Sequence, residues 1–108
     1  MSEAVSVYMT ASSMAEAQHL AEALVGEGLA ACVNILPGMH SIYRWQGKIE
    51  RAEEVALLAK TRRDLLDRLI ARATMLHSYD CPCIVAWPIV GGLPAYLQWI
   101  EAATARST

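Results

Sequence analysis

The chain has 108 residues, of which 55% are apolar and 19% are charged, and its net charge is −2. This length predicts one domain over residues 1–108, with frayed ends at 1–3 and 103–108. The slightly acidic balance excludes a surface built for a phosphate backbone, so we expect no nucleic-acid partner. The longest apolar run, of about eight residues, is too short to span a membrane.

The chain carries three cysteines, Cys32, Cys81 and Cys83. An odd number of cysteines is typical of free thiols in a reducing compartment. The first ten residues lack the basic segment and apolar stretch of a secretion signal. Together these features predict a cytoplasmic protein.

The first part of the chain predicts a strand followed by a helix. Residues 4–10 alternate in polarity, which is typical of a strand. Ser13 and Glu16 have the spacing of a capping box, which marks the start of a helix. The apolar positions that follow at helical spacing are Ala17, Leu20, Ala21 and Leu24. Gly26 and Gly28 predict the end of this helix.

The middle of the chain predicts one long hairpin. Residues 29–35 form a strand pattern, and Pro37-Gly38 predicts a bulge or an edge because proline cannot donate to a ladder. The extended pattern resumes over 41–45, Gln46-Gly47 predicts the turn, and 49–60 predicts the return strand. Such a hairpin extends past the core of a small domain, so we expect another copy of the chain to cover it.

The last part predicts a helix, a strand and a short closing helix. Thr61 and Asp64 have capping-box character. The apolar stripe that follows contains Leu65, Leu66, Leu69, Ile70 and Ala73. Residues 77–83 predict a loop, and the apolar run 84–90 predicts a strand buried on both faces. Pro94 suits the first turn of the closing helix.

This order of elements predicts the α+β ferredoxin-like βαββαβ sandwich with a short C-terminal helix. Two helices cover one face of the sheet and leave the other bare. Trp45, Trp87 and Trp99 add apolar area, and burying one such side chain contributes roughly 1.5–3 kcal/mol. Self-association would bury this surface.

Five motifs in fixed order carry a family resemblance. They are ACVNILPG (31–38), SIYRWQGKI (41–49), E…LL.KT (54–61), H.Y..P.I (77–84) and PI..G...YL.WI (88–100). Over about residues 5–101 the chain resembles the CutA family of divalent-cation tolerance proteins. The resemblance implies a ferredoxin-like homotrimer related in architecture to the PII signalling proteins. It also implies a role in the response to divalent metals, copper especially, with no accepted catalytic reaction.

The chain departs from the family pattern at two positions. Ser78 stands where the family usually has proline, and Cys83 stands where it usually has glutamate. The second change replaces a carboxylate with a thiol and creates the sequence Cys81-Pro82-Cys83. Chemistry that depends on a carboxylate at position 83 is therefore in doubt.

Four residues are candidate metal ligands: His77, Cys32, Cys81 and Cys83. Thiolates and imidazole suit copper(I) and zinc(II). However, neighbours on an extended segment point to opposite faces, so Cys81 and Cys83 are alternatively small loop residues. Redox pairing of the two thiols is a further alternative. Cys32 is alternatively a buried apolar residue, and His77 a cation at a helix C-terminus. Copper or another divalent cation is the expected ligand.

Lys60 is a candidate binding residue, because it follows an apolar run at the buried end of a strand. A buried ammonium needs a partner. Glu54, Asp80 or a bound anion could provide it. The alternatives are a structural ion pair and a small-ligand site.

Tyr79, Tyr96 and Trp45 are aromatic residues with polar handles, which complete an interface or a ligand cleft. Family analogy places Tyr79 and Tyr96 with Glu54 and Lys60 in clefts between subunits. The spacing of the remaining polar residues provides no nucleophile and base pair, so we expect no enzyme.

The sequence therefore predicts a cytoplasmic homotrimer of divalent-metal tolerance that binds a metal or a small ligand between its subunits. A PII-like signalling module that binds a small anionic metabolite is the alternative. A purely structural trimer is a third possibility.

Overall fold

The fold is a four-stranded antiparallel sheet with its helices packed mainly on one face. A computed structural model describes residues 3–105. The strands are β1 (Ala4–Ala11), β2 (Cys32–Trp45), β3 (Lys48–Arg62) and β4 (Ile84–Pro88). The helices are α1 (Met14–Gly26), α2 (Leu66–Leu76) and α3 (Pro94–Ala102), with a 3₁₀ turn at Arg63–Leu65. The strand order β2-β3-β1-β4 confirms the predicted ferredoxin-like arrangement.

Alternation along the strands separates a core face from an open face. Val5, Val7 and Met9 of β1 are buried against the helices, where they meet Leu20 and Leu69. Side chains at alternate positions point to the opposite side of the sheet. We call this opposite side, which carries Tyr8, Leu58 and Trp87, the open face.

Helix α1 begins close to the predicted capping box, but the Glu16 carboxylate has a different hydrogen-bond partner from the one that a capping box implies. Ser13 Oγ accepts a hydrogen bond from the Glu16 backbone N–H at 3.1 Å, as predicted. The Glu16 carboxylate, however, accepts from the backbone N–H and the hydroxyl of Ser12 rather than from the Ser13 backbone. The helix ends as predicted near Gly28, which has a φ of +73° that favours glycine.

The hairpin of β2 and β3 has the predicted bulge and turn. β2 continues through Pro37-Gly38, and its register against β3 shifts between Leu36 and Met39. Gln46 and Gly47 both have positive φ, as a two-residue type I′ turn requires.

The outer half of this hairpin extends past the rest of the sheet. β1 pairs with β3 only as far as Ala11 opposite Val55. Within the described part of the chain, residues 39–45 and 48–54 therefore pair only with one another, and we call these two segments the outer ribbon. The predicted overhang is present in the chain.

The predicted cap of the second helix is wrong. Among residues 3–105, no side chain caps either the 3₁₀ turn or α2 at its start. Thr61 is fully buried, and its hydroxyl donates to the Leu29 carbonyl at 2.7 Å. Because β3 continues to Arg62, the Thr61 side chain is directed by the strand and not by the following helix.

The prediction of a last strand buried on both faces is also wrong. β4 ends at Pro88 and lies at the edge of the sheet, where it pairs with β1. Val85 and Trp87 are 50% and 47% exposed on the open face. A continuous apolar run is typical of a central strand, but here its second face is uncovered within one chain.

Arg62 holds the C-terminal segment against the sheet. Its side chain is buried and donates to the Ala105 carbonyl. Arg62 Nη1 lies 3.5 Å from Glu101 Oε1, and Arg62 Nε lies 3.1 Å from Asp64 Oδ1. The contact with Asp64 is an ion pair whose geometry does not make a hydrogen bond. The Ala105 N–H donates to the Gly28 carbonyl at 2.7 Å.

The expected fraying is therefore not seen at residues 103–105. Glu3 is also held, because its carbonyl accepts from the Arg63 N–H at 2.7 Å. Residues 1–2 and 106–108, where fraying was expected too, lie outside the described residues. Within residues 3–105 no helix combines the length and the apolarity needed to cross a bilayer.

The change Arg62→Ala should lower the free energy of unfolding by about 2 kcal/mol, because it removes a buried side chain whose hydrogen bond and ion pairs hold the C-terminal segment on the sheet. The matched control is Arg63→Ala. The Arg63 side chain is 67% exposed and its ion pair with Glu3 spans 3.9 Å, so about 0.5 kcal/mol or less should be lost. Urea unfolding at one fixed protein concentration measures both. Equal losses for the two variants would contradict this role of Arg62.

Candidate functional site

A groove of about 520 Å³ opens on the open face, between β1, the outer ribbon and the loop 77–83. Aromatic side chains form its walls: Tyr8 from β1, Tyr43 and Trp45 from the outer ribbon, and Tyr79 from the loop. The bulge in β2 sets the register that places Tyr43 and Trp45 on this face. We call this space the aromatic groove, and its volume is within the range of small-molecule sites.

Glu54 and Tyr79 form a polar pair in the aromatic groove. Glu54 is only 8% exposed, and its Oε2 accepts a hydrogen bond from the Tyr79 hydroxyl at 3.0 Å. Burial and then this hydrogen bond raise the pKa of Tyr79 to about 12. The phenol is therefore protonated at neutral pH and can act as the donor.

Both thiols of the Cys81-Pro82-Cys83 sequence line the aromatic groove. Residues 81–83 precede β4 and are not a strand, so the two side chains do not alternate between opposite faces as expected. Burial, and then the nearby Glu54 carboxylate, raise the pKa of the Cys83 thiol. Cys83 is thus held in its thiol form at neutral pH.

His77 lies behind the aromatic groove rather than in it, and its side chain is fully buried. Its Nε2–H donates to the Thr10 carbonyl at 2.7 Å, and its Nδ1 accepts from the Tyr79 backbone N–H at 3.0 Å. The tautomer with hydrogen on Nε2 satisfies both contacts. Neither nitrogen is free for a metal in this arrangement, and the ring positions the Tyr79 backbone.

Glu16 fastens the same loop to the start of α1. Its Oε1 accepts from the N–H and the hydroxyl of Ser12, each at 2.9 Å, and its Oε2 accepts from the Ser78 N–H at 2.8 Å. Burial alone would raise the pKa of Glu16. The hydrogen bonds from Ser12 and Ser78 outweigh this effect and lower the pKa to about 2.

The remaining predicted site residues form a second group at the other end of the open face. Cys32 Sγ lies 3.5 Å from the Tyr96 hydroxyl, and this contact, followed by burial, raises the pKa of Tyr96. Lys60 is half-buried and donates to Asn34 Oδ1 at 3.3 Å. Lys60 follows Glu54 by six positions on β3, a separation of roughly 20 Å, so the two cannot pair within one chain.

Within one chain the predicted site residues therefore lie in two separate groups. Trp45, Glu54 and Tyr79 meet in the aromatic groove with the two loop thiols, whereas Cys32, Lys60 and Tyr96 lie away from them. Among residues 3–105, no group of three or more His, Cys, Asp or Glu side chains could hold a metal ion. The four candidate ligands of one chain thus do not form a closed metal site.

Tyr8, Tyr43 and Glu16 also belong to this site and were not predicted from the sequence. Successive side chains of a strand point to opposite faces of the sheet. This alternation could have placed Tyr8 and Tyr43 on the open face. The links from Glu16 to Ser78 and from His77 to Thr10 join segments more than 60 residues apart, 62 and 67 respectively. No local sequence signal marks contacts of this range.

The change Glu16→Gln should remove a stabilisation that depends on pH. The carboxyl has a pKa of about 2 in the folded chain against an ordinary value of 4.5. Its contribution is therefore fully present above about pH 5 and is lost as the pH falls toward 2. We expect the wild type to exceed the variant by about 2 kcal/mol at pH 7, and by almost nothing at pH 2.

The matched control is Glu22→Gln on the exposed side of the same helix. Its difference from the wild type should stay small at all pH values. Urea unfolding between pH 2 and 7 measures both differences. A constant difference for Glu16→Gln across this range would show that the carboxylate does not carry the interaction.

Comparison with known proteins agrees with the fold. The family model described as "CutA1 divalent ion tolerance protein" matches residues 5–103. The "Divalent-cation tolerance protein CutA" of Thermus thermophilus is 47% identical over 98 residues, which cover 91% of this chain and 95% of that protein. The crystal structure of CutA1 from Oryza sativa superposes with a TM-score of 0.94 at 40% identity, covering 96% of this chain and 95% of that one.

A plant relative is longer. The "Protein CutA, chloroplastic" of Arabidopsis thaliana is 43% identical over 98 residues, which are 91% of this chain. The chain spans about half the length of that relative, 54%. With a family model that matches nearly its whole length, the chain belongs to the CutA family of divalent-ion tolerance proteins.

Proposed function

We propose that this chain acts as a cytoplasmic homotrimer in the tolerance of divalent metals, copper above all, and binds a metal or a small ligand in clefts between its subunits. The proposal includes no catalytic reaction. Membership of the divalent-ion tolerance family supports the general role. The observation that carries the proposal is the aromatic groove on an uncovered apolar sheet face.

The uncovered surface supports self-association. Leu36, Val85 and Trp87 are each about half exposed on the open face. Ile42 and Ile49 are 63% exposed on the other side of the outer ribbon. Exposed apolar side chains on both sides of the sheet extension favour contact with other chains. The outer ribbon also has unpaired backbone edges, which can add to the sheet of another copy. The number of three copies comes from the family resemblance.

The contents of the groove support ligand binding at such an interface. Glu54, Cys81 and Cys83 provide one carboxylate and two thiols on the wall of the groove. Thiols suit copper(I), but these three groups do not make a closed site in one chain. In the proposal a neighbouring subunit forms the opposite wall and completes the set of ligands.

One observation favours the PII-like alternative. Lys60 donates a hydrogen bond to the amide oxygen of Asn34, and no ion pair of Lys60 is found within residues 3–105. A half-buried ammonium without a carboxylate suits a small anion. The second candidate function is therefore the binding of an anionic metabolite at the Lys60 end of the open face.

The change Trp87→Glu should dissociate the assembly, because it places a charge on the apolar open face that the proposed interface buries. The matched control is Met75→Glu, at an exposed position on α2, away from the open face. Native mass spectrometry at micromolar concentration should give three chains for the wild type and for Met75→Glu, and one chain for Trp87→Glu. A wild type that runs as a single chain contradicts the proposed trimer.

Copper(I) titration under anaerobic conditions tests whether the protein binds a metal through the groove thiols. The wild type should take up copper(I) stoichiometrically, and the double change Cys81→Ser with Cys83→Ser should lower the affinity at least tenfold. Cys32→Ser, which removes a thiol from the other end of the open face, is the control. Binding of ATP without copper uptake, abolished by Lys60→Met, would favour the PII-like alternative. Binding of neither would favour a structural trimer.

A further inference from the structure

We propose that the aromatic groove binds a small organic cation with primary ammonium groups, an aliphatic diamine or polyamine. The inference rests on the proposed function in that it places the ligand in the same groove. It names a chemical class that neither the family description nor the relatives' names include.

The charge of the groove favours a cation. Ten residues line it, and Glu54 and Asp80 are the charged side chains among them, with no lysine, arginine or histidine. A cleft lined by charges of one sign concentrates ligands of the opposite sign. An anionic metabolite would meet two carboxylates here and is disfavoured.

Glu54 lacks a cationic partner within the described part of the chain. It is 8% exposed, and its Oε2 accepts a hydrogen bond from the Tyr79 hydroxyl. A buried carboxylate without a counter-charge is costly. The Tyr79 phenol is neutral when protonated, so it provides a hydrogen bond but no positive charge. An ammonium group would provide both the charge and further N–H donors.

The aromatic walls suit an ammonium group with an alkyl chain. Tyr8, Tyr43, Trp45 and Tyr79 line the groove. A cation over such rings gains about 0.5–2 kcal/mol through the ring quadrupole, and methylene groups pack on the same rings. Asp80, which is exposed at the groove, offers a carboxylate for a second ammonium group.

The size of the groove distinguishes an amine from a bare metal ion. A space of about 520 Å³ has room for many non-hydrogen atoms. A metal ion requires several converging ligands, and residues 3–105 of one chain provide no group of three. An ammonium group requires only acceptors and ring faces, which one chain already provides.

Calorimetric titration of the full chain in its native assembly with spermidine, at low salt, tests the inference. The wild type should bind spermidine, and Glu54→Gln should weaken binding at least tenfold. The matched control is Glu53→Gln, the exposed neighbour on the other face of β3, which should bind as the wild type does. Trp45→Ala should weaken binding about fivefold through loss of a ring face.

Trp45 is 52% exposed on the outer ribbon, so this variant folds even if a change at Glu54 does not. Tetramethylammonium, which has no N–H, should bind more weakly than spermidine, and glutarate should not bind. Absence of spermidine binding, or unchanged affinity in both Glu54→Gln and Trp45→Ala, would overturn the inference. If spermidine fails while copper uptake and the trimer mass hold, the inference falls and the proposed function stands. If the wild type is a single chain, the proposed function falls and the spermidine titration still decides the inference.

Discussion

The pairing of β1 with β3 is the constraint on which the rest of this structure depends. It ends at Ala11 opposite Val55, so the outer ribbon continues without a third strand. The same register directs Val7 and Met9 into the core and Tyr8 to the open face. The overhang, the apolar open face and one wall of the aromatic groove all follow from this single ladder.

The loop 77–83 forms another wall of the aromatic groove. The Glu16 carboxylate accepts a hydrogen bond from the Ser78 N–H, and the His77 ring donates one to the Thr10 carbonyl. The two bonds hold the loop against both α1 and β1. These contacts hold Tyr79 where its hydroxyl reaches Glu54. A residue that looks like a metal ligand in the sequence thus serves to position a groove residue. The chemistry of the groove is that of two carboxylates, aromatic rings and two thiols.

Local patterns predicted the fold but only part of the site. Alternation and turn residues, such as Gln46-Gly47, gave the strands and the hairpin because they act over a few residues. The predictions of a cap at Thr61 and of a fully buried β4 were wrong. Both features depend on where a strand lies in the sheet, and that position is set by strands distant in the sequence. The separation of Lys60 from Glu54 follows from strand geometry and could have been predicted. The partner of His77 is a backbone carbonyl 67 residues away, and no side-chain pattern marks it.

The central claim is that other copies of the chain cover the open face. Small-angle X-ray scattering at micromolar concentration tests it most directly, because it reports the size and the mass of the particle together. One chain has a mass of 11.8 kDa and a Cα radius of gyration of 14.4 Å. The account predicts three times this mass and a radius of gyration of about 20 Å, as expected for a compact particle of that size. A particle with the mass and radius of one chain would contradict it.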